Sequence, residues 1–108
     1  MPELPEVETT KNGLLPLIKH QRITHAIRHR ANLRWEIPKE LKTILAGQVV
    51  NGIDRRGKYL LIRFDVGTLI IHLGMSGSIK VVDSSEVLRK HDHFELVFEH
   101  GKSMRLND

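Results

Sequence analysis

The sequence predicts an α+β fold, mainly antiparallel β: a two-layer β-sandwich flanked by an N-terminal helix and a second short helix. Three observations carry this expectation. Seven short segments are apolar or alternate apolar with polar residues in the manner of strands. Connections containing glycine separate several of them, two at hairpin distance. Only two segments show helical spacing of their apolar residues. A chain of 108 residues with 40% apolar content lies in the single-domain range and buries roughly two-thirds of its unfolded surface. One compact domain is expected, because no repeat, low-complexity tract or linker divides the chain, and two sheet layers with a flanking helix are the simplest packing.

In chain order, a helix should begin near Pro5, since proline is tolerated in a first turn and Glu6 and Glu8 complement the positive end of the dipole. Val7, Leu14, Leu15 and Ile18 fall on one face, and Pro16 should end or kink the helix close to Leu15. Strands follow at Arg22 to His29, Gln48 to Arg55, Lys58 to Phe64, Thr68 to Leu73, Ser78 to Val82, Phe94 to Glu99 and Lys102 to Leu106. Between the first two, Pro38 opens a second helix of about two turns, with Leu41, Ile44 and Leu45 on one side and Gly47 as its C-terminal cap. Asp65-Val66-Gly67 and His100-Gly101 read as tight hairpins, so consecutive strands are expected to pair as neighbours.

Composition excludes some function classes. The longest apolar stretches, Tyr59 to Phe64 and Thr68 to Leu73, are broken by Arg63 and Asp65 and fall far short of the ~20 residues of a membrane-spanning helix. Glu3, Glu6 and Glu8 occupy the place of a basic n-region, so no secretory signal is read and a cytoplasmic location is expected. The absence of cysteine rules out disulfides and thiolate metal sites in this chain. Seventeen Lys and Arg against thirteen Asp and Glu leave a charge of +4, with seven His in reserve. That balance suits a nucleic-acid surface and equally describes ordinary solvated surface.

The first residues, Met1-Pro2-Glu3-Leu4-Pro5-Glu6-Val7-Glu8-Thr9, pack two prolines and three carboxylates beside the N-terminus. With Met1 removed, Pro2 presents a secondary amine. An α-amino group titrates near pH ~8, so part of it is neutral at physiological pH and able to attack an electrophilic sugar carbon. Glu3 is placed to act as general acid and Glu6, about one turn later, to order water or tune charge. Spacing alone fits as well a pair of prolines that stiffen the start of a helix and glutamates that complement its dipole.

Further blocks follow in order: Arg56-Gly57-Lys58-Tyr59-Leu60, then His72-Leu73-Gly74-Met75-Ser76-Gly77-Ser78, then Lys90-His91-Asp92-His93. Together with Pro2 to Thr9 they resemble the formamidopyrimidine-DNA glycosylase family, and the similarity covers essentially the whole chain. The related endonuclease VIII branch typically has glycine where Leu4 stands and lacks the Gly-Met-Ser-Gly-Ser string, so the purine-lesion branch is the better match. The resemblance implies a monomeric, bifunctional repair enzyme acting on damaged double-stranded DNA. Such an enzyme flips out an 8-oxoguanine or formamidopyrimidine nucleotide, excises the base, and breaks the strand by β- and δ-elimination. Flipping is needed because the sugar carbon is shielded in the stacked duplex. By resemblance Pro2 forms the Schiff base, Glu3 gives the proton that opens the sugar ring, Glu6 supports them, and Lys58 acts in β-elimination and holds a phosphate. Met75 wedges into the gap left by the flipped nucleotide, while His91 and Arg56 contact phosphate.

Family members are more than twice this length, with a helix-two-turn-helix domain and a zinc finger on four cysteines. The chain is therefore expected to be the N-terminal catalytic domain, residues 1–108, without those parts. A structural zinc belongs only to the absent part, and no cofactor or metal is expected in this chain. The Arg and Phe that accompany Met75 also fall beyond Asp108, so this segment alone should bind DNA weakly and excise poorly, each lost phosphate contact weakening binding in a salt-dependent way. His91-Asp92-His93 invites a metal reading, but neighbouring strand residues point to opposite faces, and His25 and His29, about 13 Å apart on a strand, cannot chelate one ion and should face solvent. Of His91 and His93, only His91 is assigned to DNA. Two other classes remain: a non-catalytic DNA-binding β module using Arg55, Arg56, Lys58 and His91, whose binding would be salt-sensitive without any covalent adduct, and a protein-interaction domain, which would have no DNA affinity.

Overall fold

The structure, a computed structural model, describes residues 4–29, 38–74 and 77–108. Helix α1 (Leu4–Ile18) buries Val7, Leu14 and Ile18, with Leu15 packed beside them, as the apolar spacing predicts. It does not stop near Leu15: Pro16 lies inside it, and Lys19 N–H donates to the Leu15 carbonyl at 3.0 Å. Proline's fixed φ suits a helix. Its missing N–H leaves a carbonyl one turn back at exposed Asn12, where water can replace the bond. The end comes instead at His20, in the left-handed conformation with φ 67°, whose N–H crosses to the Val50 carbonyl at 2.7 Å.

Strand β1 (Ile23–Arg28) is followed by α2 (Leu41–Leu45), a little over one turn where two were expected. Pro38 lies in the turn before it and does not begin it: the helix starts at Leu41 after Glu40, and the Pro38 carbonyl accepts from Leu41 N–H at 3.2 Å. Leu45 is buried, but Ile44 is 55% exposed and does not join the core. Gly47 takes the expected positive φ, yet its N–H bonds the Ile23 carbonyl at 2.7 Å, tying the end of α2 to β1.

Strands β2 (Gly52–Arg56), β3 (Tyr59–Arg63) and β4 (Thr68–His72) form a three-stranded antiparallel meander. Val49 makes only an isolated bridge to Arg22, so β2 starts later than expected. The β3–β4 hairpin turns through Asp65-Val66-Gly67 as predicted, closed by Phe64 N–H to the Gly67 carbonyl at 3.1 Å. The second sheet contains β1, β5 (Ser78–Asp83), β6 (Asp92–Phe98) and β7 (Lys102–Asn107) in the order β1-β6-β7-β5. The predicted His100-Gly101 hairpin joins β6 to β7. Consecutive pairing fails at β1 and β5, which pair with β6 and β7 across long stretches of chain. Turn residues specify local hairpins, and no local signal specifies these distant partners.

One core serves both sheets and α1: Ile18, Ile23, Leu60, Ile62, Leu96, Phe98 and Met104 are among its fully buried members. Strand β6 does not alternate, because both its faces are covered. Phe94, Leu96 and Phe98 face the core, while Glu95 meets its cross-strand partner Arg105 at 2.8 Å, each side chain 6% exposed. His29 Nε2 reaches the other Glu95 oxygen at 2.9 Å, so His29 is half-buried and not solvent-facing as expected. The segment following β5 folds over this pair: Arg105 donates to the Ser84 carbonyl at 3.2 Å, and the Ser84 and Ser103 hydroxyls bond at 2.8 Å. Among the described residues, no helix is long and apolar enough to cross a membrane.

Candidate functional site

Two of the predicted site residues meet in the turn between β2 and β3. Arg56 pairs with Tyr59 across that turn, which leaves only Gly57 and Lys58 between the strands, so Lys58 is a turn residue and not the first strand residue expected. A two-residue turn needs positive φ, which Gly57 supplies at 60°. Arg56 is exposed and Lys58 half-buried. Arg55, just before them, is engaged internally: its Nε donates to Glu8 Oε2 of α1 at 2.8 Å and its Nη1 to the Gly57 carbonyl at 2.9 Å. Glu8 also holds Lys11 at 2.8 Å. The hydrogen bonds from Lys11, then Arg55, keep the Glu8 carboxyl below the usual glutamate range. Glu6 lies exposed in the first turn of α1, and Pro2 and Glu3 immediately precede the described residues.

On the other side of Lys58, β3 pairs with β4 so that Tyr59 faces His72, their rings 4.8 Å apart. His72 opens the segment 73–77 that leads from the three-stranded sheet into β5 of the four-stranded one. Met75 lies outside the described residues, but the frame around it is defined. Gly74 has φ 68°, and Gly77 N–H closes back onto the Leu73 carbonyl at 3.0 Å. A Cβ on Gly77 would collide with that carbonyl, a backbone atom unable to move aside as a side-chain tip would. Gly77→Ala should therefore lower unfolding free energy by about 1–3 kcal/mol, whereas Gly13→Ala, in open space on α1, should raise it by up to ~1 kcal/mol. Denaturant midpoints of the two variants check the contrast.

Beyond Gly77, Ser78 pairs with Asn107, which pairs in turn with Asp92, and this ladder leads to His91. His91 is exposed with φ 72°, and its carbonyl accepts from Asp108 N–H at 3.0 Å. Asp92 supports the turn: its oxygens accept from Arg89 N–H at 2.8 Å and Asn107 Nδ2 at 2.9 Å, and the same amide reaches the Lys90 carbonyl at 3.0 Å. Burial raises the Asp92 pKa, but the bonds from Asn107 and Arg89 outweigh it and the net direction is down. His93 is buried, its Nε2 against the Asp108 carbonyl and its Nδ1 without a partner among the described residues. Only His91 of the two faces solvent. No three His, Asp or Glu side chains converge on a metal-sized site among the described residues.

The strand pairings thus link Arg56 and Lys58, through Tyr59 and His72, to Leu73 and Gly77 and on through Ser78, Asn107 and Asp92 to His91. What reading the sequence missed is the set of residues that hold them, Glu8 with Arg55 and Asp92 with Asn107. A further miss, the pair Glu95–Arg105, had a signal: opposite charges within the two strands of one hairpin, each five residues from His100.

The family model of the formamidopyrimidine-DNA glycosylase N-terminal domain matches residues 1–108. The chain is 68% identical over all its residues to the formamidopyrimidine-DNA glycosylase of Ruthia magnifica subsp. Calyptogena magnifica, and 51% identical to that of Colwellia psychrerythraea; each alignment covers 40% of the relative. Among solved structures, the Lactococcus lactis formamidopyrimidine-DNA glycosylase non-covalently bound to DNA containing an AP site is similar with a TM-score of 0.89 at 32% identity. That alignment covers 99% of this chain and 41% of the other. The same enzyme in complex with DNA containing Fapy-dG gives a TM-score of 0.88 at 32% identity, over 98% and 40% of the two chains. The chain spans about two-fifths of the length of the relatives it matches.

Proposed function

Because this chain belongs to the formamidopyrimidine-DNA glycosylase family, as its N-terminal domain, we propose that it carries the excision chemistry of a base-excision-repair glycosylase and AP lyase acting on oxidised purines in duplex DNA. The observation that supports the reading is the series of pairings that connects the Lys58 turn, through Tyr59 and His72, to Ser78, Asn107, Asp92 and His91, although they belong to different sheets.

In this reading the damaged nucleotide leaves the stack and Met75 enters the space it vacates. The Pro2 amine attacks the sugar C1′, the glycosidic electron pair leaves with the base, and Glu3 protonates the ring oxygen as the sugar opens to an iminium. Glu6 tunes the charge beside the amine. The iminium acidifies the C2′ proton, whose loss expels the 3′ phosphate; Lys58 assists this elimination and holds a phosphate, for which a compact ammonium is suited. A second elimination releases the 5′ phosphate. Arg56 and His91 contact backbone phosphates on either side of the 73–77 segment, positioning the duplex without reading its sequence. Lactococcus lactis relatives crystallised with AP-site and Fapy-dG DNA support this choice of partner.

Borohydride reduction in the presence of a duplex with one abasic site tests the reading. The expected product is a Met-free chain whose intact mass includes the trapped DNA. A Met-free chain that binds the duplex in a salt-sensitive way and gives no adduct would reduce the domain to a binding module.

A further inference from the structure

The guanidinium of Arg55 joins helix α1, through a residue 47 positions away in sequence, to the turn that follows β2. In α1, Glu8 lies four residues after the start of the helix at Leu4, about 6 Å of rise from the segment that carries Pro2. In the turn, the carbonyl of the peptide between Gly57 and Lys58 accepts the second Arg55 bond at 2.9 Å. Glu8 is held on both oxygens, by Lys11 at Oε1 and Arg55 at Oε2, each at 2.8 Å. A rigid fork with two donors suits this task, and a lysine ammonium on a flexible stem does not hold two acceptors in one plane. The side chain of Arg56 next door has no ion-pair or hydrogen-bond partner among the described residues and remains available to a ligand.

We propose that Arg55 is a positioning residue: it locks the Gly57–Lys58 peptide to helix α1, so that Lys58 keeps a fixed position relative to that helix while it acts on the reacting sugar. The inference rests on the function proposed above and adds a residue that touches neither DNA nor the reacting atoms. Fixing the Gly57 carbonyl fixes the plane of the peptide that continues into the Lys58 nitrogen, and with it the direction in which the Lys58 side chain departs. A partly exposed ion pair adds little to folding stability, whereas a displacement of ~1 Å at a reacting group lowers rates steeply.

The test uses the full chain with Arg55→Gln, Glu8→Gln and the double variant. Single-turnover strand cleavage at a preformed abasic site should slow about 10-fold in each single variant. Duplex affinity within about twofold, an unchanged slope of affinity against salt and an unaltered melting temperature should accompany it. The double variant should be no slower than either single one, because both substitutions open the same contact. Independently of activity, Glu8→Gln should shift and broaden the backbone amide signal of Lys58. Unchanged cleavage, additive losses in the double variant, or a salt slope reduced by about one phosphate contact would each overturn the proposal. So would a Lys58 amide indifferent to Glu8. If the unsubstituted chain itself forms no adduct, the functional reading falls, and the amide signal alone still decides whether the clamp exists.

Discussion

A chain that keeps Met1, or whose Pro2 nitrogen is acetylated, should give no borohydride-trapped adduct above background. The expected loss is at least ~10³-fold, larger than removal of a single acid or base, worth about 10²–10⁴-fold, is certain to produce. The reason lies in bonding at one atom. A free proline nitrogen carries a basic lone pair; the same nitrogen in a peptide gives that pair to the carbonyl and becomes planar, neither basic nor nucleophilic. Every group described here, from Lys58 to His91, is untouched by that change, so duplex affinity should stay within about twofold, apart from the one terminal charge that acetylation, unlike retention of Met1, removes. Adduct formation measured by intact mass, beside a binding isotherm on the same sample, separates the two effects. An adduct of undiminished yield on an acetylated chain would move the nucleophile elsewhere, Lys58 being the first alternative.

Removal of Glu95 should have the largest effect on stability. Glu95→Ala leaves the Arg105 guanidinium, 6% exposed, without its charge partner inside the fold, and breaking a buried pair in this way costs about 3–5 kcal/mol. Replacing both residues by apolar ones of similar volume should be nearly neutral, because the desolvation of both ions disappears together. Denaturant titration of the single and double variants at neutral pH decides it. The pair also predicts a pH dependence. Burial raises the Glu95 pKa, but hydrogen bonds from His29, Arg105 and Ser103 outweigh it and hold the folded value below the ordinary 4.5. The unfolded chain therefore takes up the proton first as pH falls. The stability contributed by Glu95 is complete above pH 4.5 and is lost as pH drops from there through the folded value. In Glu95→Gln this part of the acid slope should vanish. A slope identical to that of the unsubstituted chain would show that other carboxylates carry it.

The strands and the two hairpins were legible because period-two patterning and glycine turns are local signals. Val7, Leu14 and Ile18 announced the inner face of α1 in the same way. What stayed hidden depends on partners far apart in sequence. The partners of β1 and β5, the overrun of Pro16 and the exposure of Ile44 are decided by packing, which overrides local preference. The site divides along the same line. Lys58, His91 and Arg56 stand in motif blocks and were readable as a resemblance, and the strand pairings link them. Arg55 read as a phosphate contact beside Arg56 only in the alternative of a non-catalytic binding module; the approach of Glu8 distinguishes the two arginines. Asp92 was set aside as a metal ligand on strand geometry, but its bonds to Asn107 and Arg89, which give it a structural task, had no signal in the sequence.

The strand order β1-β6-β7-β5 has a consequence for the order of events during synthesis. The β2-β3-β4 meander joins neighbouring segments and can form as soon as residue 72 has left the ribosome. Strand β1, made first, has β6 as its sheet partner, and β5 has β7. Both must wait with unpaired backbone until the β6–β7 hairpin emerges. Sheets built on such distant pairings form slowly, and open strand edges are sites of misassembly. A nascent chain that has emerged through β5 but not yet through β6 would therefore hold a closed meander and two open strands, the state in which this domain most needs a chaperone.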